Sequence, residues 1–226
     1  MNNFIDNLVD KFNRGDFLTI INNSQNNLIN YKNNFIYLKI LALSYLNLGR
    51  YLEAIENLKE CLNIKNDDFD IKFNLGIAYL GIKDFDNTIS IFKDLLKTNQ
   101  NSYIVYNNLG IAYSQNSKPK EAIKYFLKSI NLNKNFTDPI YNVGLTYFII
   151  SDLVNAEKAF KKVYELDKTY KDIELYLSIT LRKLKKIDEC LDILKKYYEK
   201  NKNKIFVIYE LGLAYQGLGD YKKSIK

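Results

Sequence analysis

Across its 226 residues the chain is 47% hydrophobic and 14% aromatic, with nine glycines, two prolines and a formal charge of +7; this excludes a disordered or collagen-like polypeptide and favours an ordered, helix-leaning one. No apolar run approaches the ~18 residues of a membrane-spanning helix, and histidine, the commonest acid–base group and metal ligand at neutral pH, is absent. The N-terminal MNNFIDNLVDKF lacks the basic flank, apolar core and small-residue cleavage site of a signal peptide, which predicts a cytoplasmic protein.

Internal repetition dominates the chain. Registers starting at residues 1, 35, 69, 103, 137, 171 and 205 divide it on a 34-residue period with no insertion or deletion. Residues 1–34 keep only Phe4, Leu8, Gly15, Phe17, Ile20 and Leu28 of the pattern and read as a degenerate N-terminal capping repeat, atypical because one face meets water. Residues 35–68, 69–102, 103–136, 137–170 and 171–204 are full repeats. Residues 205–226 open a clean repeat that stops at Lys226 inside its second helix, so the sequence is expected to be part of a longer protein. The whole of 1–226 is thus read as a single array.

Each unit predicts two amphipathic helices. Apolar residues recur at three- and four-residue steps, as at Tyr106, Leu109, Gly110 and Tyr113, and give a first helix of twelve to fourteen residues. A break follows at the fifteenth position, held by Gly15, Gly49, Lys83, Ser117, Ser151, Lys185 and Gly219. Glycine there suits the left-handed conformation that ends a helix. Asp16, Asp84, Asp152 and Asp220 then stand where the second helix needs an N-cap, and Pro119 occupies a first turn, where its missing N–H costs nothing.

Size alternates along the hairpin. The eighth position is small (Ala42, Gly76, Gly110, Gly144, Ser178, Gly212), as is the twentieth (Ala54, Thr88, Ala122, Ala156, Cys190, Ser224), and the two are expected to face each other across the helix pair. Large residues follow at the eleventh position (Tyr45, Tyr79, Tyr113, Tyr147, Tyr215) and the twenty-fourth (Leu58, Phe92, Phe126, Phe160, Leu194). Small and large surfaces would interdigitate and leave an apolar face that only a stacked neighbour can bury.

The Leu75/Gly76/Tyr79, Leu109/Gly110/Tyr113 and Leu211/Gly212/Tyr215 blocks, with the pairs Ala122/Phe126 and Ala156/Phe160, resemble the tetratricopeptide repeat over essentially the whole chain. That resemblance implies an all-α, right-handed superhelical solenoid of antiparallel helix pairs, the αα-superhelix. The chain departs from the family at the end of the second helix, where proline is replaced by Lys32, Asn66, Gln100, Lys134, Lys168 and Lys202, and in the 171 unit, where Ser178 and Leu181 replace glycine and tyrosine. Extended or frayed helix-to-helix joints are therefore expected.

In such a stack the first helices line the inner curve, and their second, fifth, sixth, ninth and twelfth positions form the candidate binding surface. Asn74, Asn108 and Asn142 take the sixth position in three consecutive units. An amide carries both donor and acceptor, so a ladder of them can hold the backbone of an extended peptide without reading its sequence. The competing reading is chance in a chain with 29 asparagines, or helix-to-helix hydrogen bonds. The run is similar to the inner asparagine ladder of the repeat domain of O-GlcNAc transferase-like proteins, which implies an extended polypeptide as ligand, with no transferase module in this segment. Phe73, Asn107, Tyr141 and Tyr209 at the fifth position would supply the walls. Lys39 matches the fifth-position lysine with which some family members grip a terminal carboxylate, but Leu43, Ile104 and Asn108 break that pattern, and two matches in five argue against the role.

Cys61 and Cys190 fall in apolar helical patterns and read as buried small hydrophobes. The lysine runs 161–162, 185–186, 195–196 and 222–223 read as solvated helix faces, and Glu157 with Lys161 as a supporting surface pair. With only three arginines and no aromatic–arginine platform, the residues argue against a nucleic-acid partner. No phosphate loop, metal spacing or nucleophile–base arrangement occurs, so neither catalysis nor a cofactor is expected of this segment. The functional expectation is a scaffold that holds a partner's extended peptide or helix. The alternatives are the substrate-recruiting arm of a larger enzyme, such as a glycosyltransferase, and an RNA-associated helical repeat.

Overall fold

The structure is a computed structural model that describes residues 3–25, 31–202 and 204–220. Leu28, Ser224, Lys222 and Lys223, and the second helix expected after Asp220, lie outside the described residues. The described residues are helical throughout: α1 (Asn3–Asn13), α2 (Phe17–Gln25), α3 (Phe35–Asn47), α4 (Tyr51–Ile64), α5 (Phe69–Gly81), α6 (Phe85–Thr98), α7 (Tyr103–Gln115), α8 (Pro119–Leu132), α9 (Thr137–Ile149), α10 (Leu153–Leu166), α11 (Ile173–Lys183), α12 (Ile187–Lys200) and α13 (Ile205–Gly217). The fold class is all-α, built from antiparallel helix pairs of the αα-superhelix type. The chain forms two compact units, residues 1–117 and 118–226.

Helix boundaries follow local chemistry. All seven fifteenth positions adopt positive φ: Gly15 (78°), Gly49 (70°) and Gly219 (76°), and the non-glycine Lys83 (61°), Ser117 (55°), Ser151 (64°) and Lys185 (61°). The left-handed residue turns the chain back after each first helix. At the next position Asp84 and Asp152 accept from the amides of Asn87 (3.2 Å) and Asn155 (3.3 Å), capping α6 and α10 as expected. Pro119 is the first residue of α8. The first helices are capped as well, which the repeat pattern alone does not show: Asn34, Asp68 and Ser102 accept from the amides of Tyr37, Ile71 and Val105.

In the N-terminal unit α3–α4 and α5–α6 are helix hairpins, α4 packs on α5 and α6 on α7, and α1 and α2 close the end against α3. Tyr37, Leu58, Ile71 and Phe92 are buried there. In the C-terminal unit α9–α10 and α11–α12 form the hairpins, α8 packs on α9, and α13 packs on α12. Its core holds Phe160, Ile173, Leu177 and Leu194.

The eighth-position glycines meet different neighbours from those expected. A Cβ on Gly76 would lie 2.6 Å from the Phe92 ring, and one on Gly144 would lie 2.7 Å from the Phe160 ring. At both glycines the ring at the twenty-fourth position lies nearer than the small residue at the twentieth. An aromatic ring reaches the bare backbone from a turn further along the second helix, which a methyl-sized residue cannot do.

Extended joints are expected wherever the proline is missing, yet among the described residues one joint is longer than the rest. Four residues separate α4 from α5, α6 from α7, α8 from α9 and α12 from α13, whereas six residues, 167–172, separate α10 from α11. Accordingly α11 has 11 residues where α9 has 13. This is the unit in which the repeat pattern weakens.

Candidate functional site

In the N-terminal unit the first helices α3, α5 and α7 touch one another in sequence order. Asn74 on α5 donates its Nδ2 to the carbonyl of Asp70 at 2.7 Å, and Asn108 on α7 donates to that of Ile104 at 2.9 Å. Each amide is tied to its own helix one turn back. This bond occupies one N–H and leaves the second N–H and the carbonyl oxygen to other partners. Asn74 is half-buried, whereas Asn108 is only 9% exposed. Asn142 on α9, in the C-terminal unit, is half-buried.

The other sixth-position residues differ in chemistry. Ile40 is buried, and Glu210, 4% exposed, accepts from the Arg182 guanidinium at 2.9 Å. That ion pair joins α11 to α13.

Fifth-position residues serve the hairpins first. The Phe73 ring lies 5.7 Å from the Phe92 ring, and Tyr141 lies 6.2 Å from Phe160, so each aromatic rests on the ring that covers its own glycine. Asn107 and Tyr141 are buried, Phe73 and Lys39 half-buried, and Tyr209 is 59% exposed. Ninth-position Leu43, Ile77, Ile111, Leu145, Ile179 and Leu213 are all half-buried. A depression of about 710 Å³ lies elsewhere, lined by Leu38, Leu41 and Tyr45 on α3 and by Glu53, Glu56 and Glu60 on α4; it includes none of the expected site residues.

Electrostatics separate the C-terminal unit from a plain charged surface. Glu157 was expected at the surface, yet it is 7% exposed and accepts from Lys161 at 2.8 Å and Lys186 at 2.7 Å. Lys161 also reaches Glu189 at 2.8 Å, so the four groups tie α10 to the start of α12. Burial pushes the Glu157 carboxyl up, and the two lysine hydrogen bonds more than offset it, leaving the group below the usual carboxylate range. Cys61 and Cys190 are free thiols in buried positions, and burial pushes both up to about 11. Among the described residues no group of three or more His, Cys, Asp or Glu side chains is placed to hold a metal ion, and no helix is long and apolar enough to cross a membrane.

The geometry defines a helical-repeat protein whose polar first-helix residues recur in register. Residues 103–136 match the model of the tetratricopeptide repeat, and residues 42–82 match a second TPR repeat model. These matches support membership of the tetratricopeptide-repeat family. Among curated proteins none matches the sequence. Among solved structures, the chain is similar to MamA, at 26% identity over 71% of this chain and 94% of that one, with a TM-score of 0.62. It is similar to Pseudomonas aeruginosa PilF, at 16% identity over 82% and 84% of the two chains, with a TM-score of 0.70. A chain of the APC/C hetero-tetramer Cut9–Hcn1 matches 100% of this chain with 44% of its own length, at 17% identity and a TM-score of 0.69. Fold and repeat matches together support a general role as a protein-interaction scaffold.

Proposed function

We propose that the chain holds an extended polypeptide segment of a protein partner along its first helices, with asparagine amides meeting the ligand's backbone. The observation that carries this reading is the matched state of Asn74 and Asn108. Both stand at the sixth position of neighbouring first helices, and each spends one N–H on the carbonyl four residues earlier. An amide fixed in this way meets a ligand with less loss of side-chain freedom than a mobile one. Asn142 has the same position in its own repeat and extends the proposal to the C-terminal unit. Phe73 and Tyr141, held by Phe92 and Phe160, would act as rigid walls, with Lys39, Asn107 and Tyr209 as the remaining candidate groove residues.

The test is binding to an array of unstructured 15-residue peptides by the wild-type chain and by the variant with Asn74→Ala, Asn108→Ala and Asn142→Ala together. The reading expects broad loss of binding across unrelated sequences at unchanged helicity. Undiminished binding by the helical triple variant would overturn it.

A further inference from the structure

The six-residue joint before α11 places a lysine ammonium against two tyrosine rings and a carboxylate. The ammonium of Lys171 lies 4.7 Å from the centre of the Tyr141 ring and 4.8 Å from that of Tyr170, with a carboxylate oxygen of Asp138 at 3.5 Å. Two aromatic faces and one carboxylate around an ammonium make the arrangement by which proteins recognise lysine, methylated lysine and quaternary amines.

The walls stand without the lysine. Tyr141 makes edge contacts with Tyr170 at 5.4 Å and Tyr176 at 5.8 Å, and it rests on Phe160. The Tyr170 hydroxyl donates to Asp138. Both Asp138 and Tyr141 stand at first-helix positions of the candidate binding surface, the second and the fifth of their repeat.

The occupant is more exposed than the two rings it rests on. The Lys171 side chain is 50% exposed, and the residue has φ of +48° away from any helix-ending fifteenth position. Left-handed backbone at a non-glycine residue costs energy and persists where the surroundings impose it.

We propose that Tyr141, Tyr170 and Asp138 form a receptor for an alkylammonium cation, and that Lys171 is a resident competitor which fills it in the absence of ligand. An intramolecular occupant lowers the apparent affinity by the fraction of time that the site stands empty. A partner's ammonium therefore has to displace Lys171, and removing Lys171 strengthens binding. The inference concerns the cation alone and does not depend on the asparagine ladder.

The experiment is a titration with tetramethylammonium chloride, referenced to sodium chloride at equal ionic strength, followed by NMR of 13C-labelled tyrosine rings. The proteins are the wild type, Lys171→Gly, Lys171→Gln, and Lys171→Gly combined with Tyr170→Leu. Both single variants are expected to bind at least about fivefold more tightly than the wild type. Shifts should fall on Tyr141 and Tyr170, and the double variant should lose saturable binding. Trimethyl-lysine amide binding more tightly than tetramethylammonium would assign the cation to a polypeptide, and equal affinities to a free amine. Equal binding by wild type and both single variants, or shifts that survive Tyr170→Leu, would overturn the proposal.

Discussion

The Phe92 ring occupies the space that a side chain at residue 76 would need: a methyl group on Gly76 would lie 2.6 Å from Cε1 of the ring. Gly144 and Phe160 repeat the relationship at 2.7 Å in the other unit. The repeat keeps glycine in mid-helix, where it costs about 1 kcal/mol relative to alanine, because the ring of the second helix rests on the first at that point.

Gly76→Ala is therefore expected to destabilise the protein despite its better helix propensity. Overpacking of about 1–3 kcal/mol outweighs the gain. Urea unfolding checks this, and Phe92→Leu in the same chain should recover part of the loss, because the two positions share one contact.

Substitutions at the fifteenth position are expected to change stability with opposite signs. Lys83, Ser151 and Lys185 hold φ between 61° and 64°, so Lys→Gly or Ser→Gly there should stabilise by about 0.5–1 kcal/mol. Gly49→Ala, at φ of 70°, should cost about 1 kcal/mol. Thermal unfolding of the four variants distinguishes them from neutral surface changes.

The helix pairs and turns were legible in the sequence because each rests on local chemistry. Gly15, Gly49 and Gly219 marked the left-handed position, and lysine and serine at the same register adopt the same φ. Asp84 and Asp152 were readable as caps for the same reason, and the caps Asn34, Asp68 and Ser102 were equally readable from their type, one residue before each first helix. The partner of Gly76 was not, since the small Thr88 and the large Phe92 are both compatible with the pattern until the helices are packed. Nor was the burial of Glu157, because a glutamate four residues before a lysine looks the same whether or not Lys186 closes over it. The weak pattern around Ser178 left the local geometry of that unit open, and it gave no sign of the six-residue joint or of the Lys171 ammonium between two rings.

The Glu157 cluster predicts acid sensitivity. The two lysines hold its carboxyl below the ordinary range of an unpaired glutamate in the folded chain, so the stabilisation is fully present above that range and is lost as pH falls through the folded value. Glu157→Gln should cost about 1–3 kcal/mol at pH 7, since both lysines it leaves are partly exposed. The gap between variant and wild type should narrow as pH falls through the lowered folded value, which denaturant titrations at several pH values measure directly.

Cys61 and Cys190 should resist alkylation in the native state. Each is fully buried, and burial pushes its thiol up to about 11, so little thiolate exists at pH 8. Native iodoacetamide labelling should be slow and limited by opening, with both cysteines labelling rapidly in denaturant.

The most direct test of the polypeptide-binding account uses backbone N-methylation. A peptide selected on the array is compared with its analogue methylated at alternate backbone nitrogens, while the side-chain amide signals of Asn74 and Asn108 are followed by 15N NMR. The account predicts about tenfold or greater loss of affinity on methylation, from the removal of two or more hydrogen bonds. It also predicts shifted Nδ2 signals at both asparagines with the unmodified peptide. Equal binding of the two peptides, with both amide signals unmoved, would contradict it.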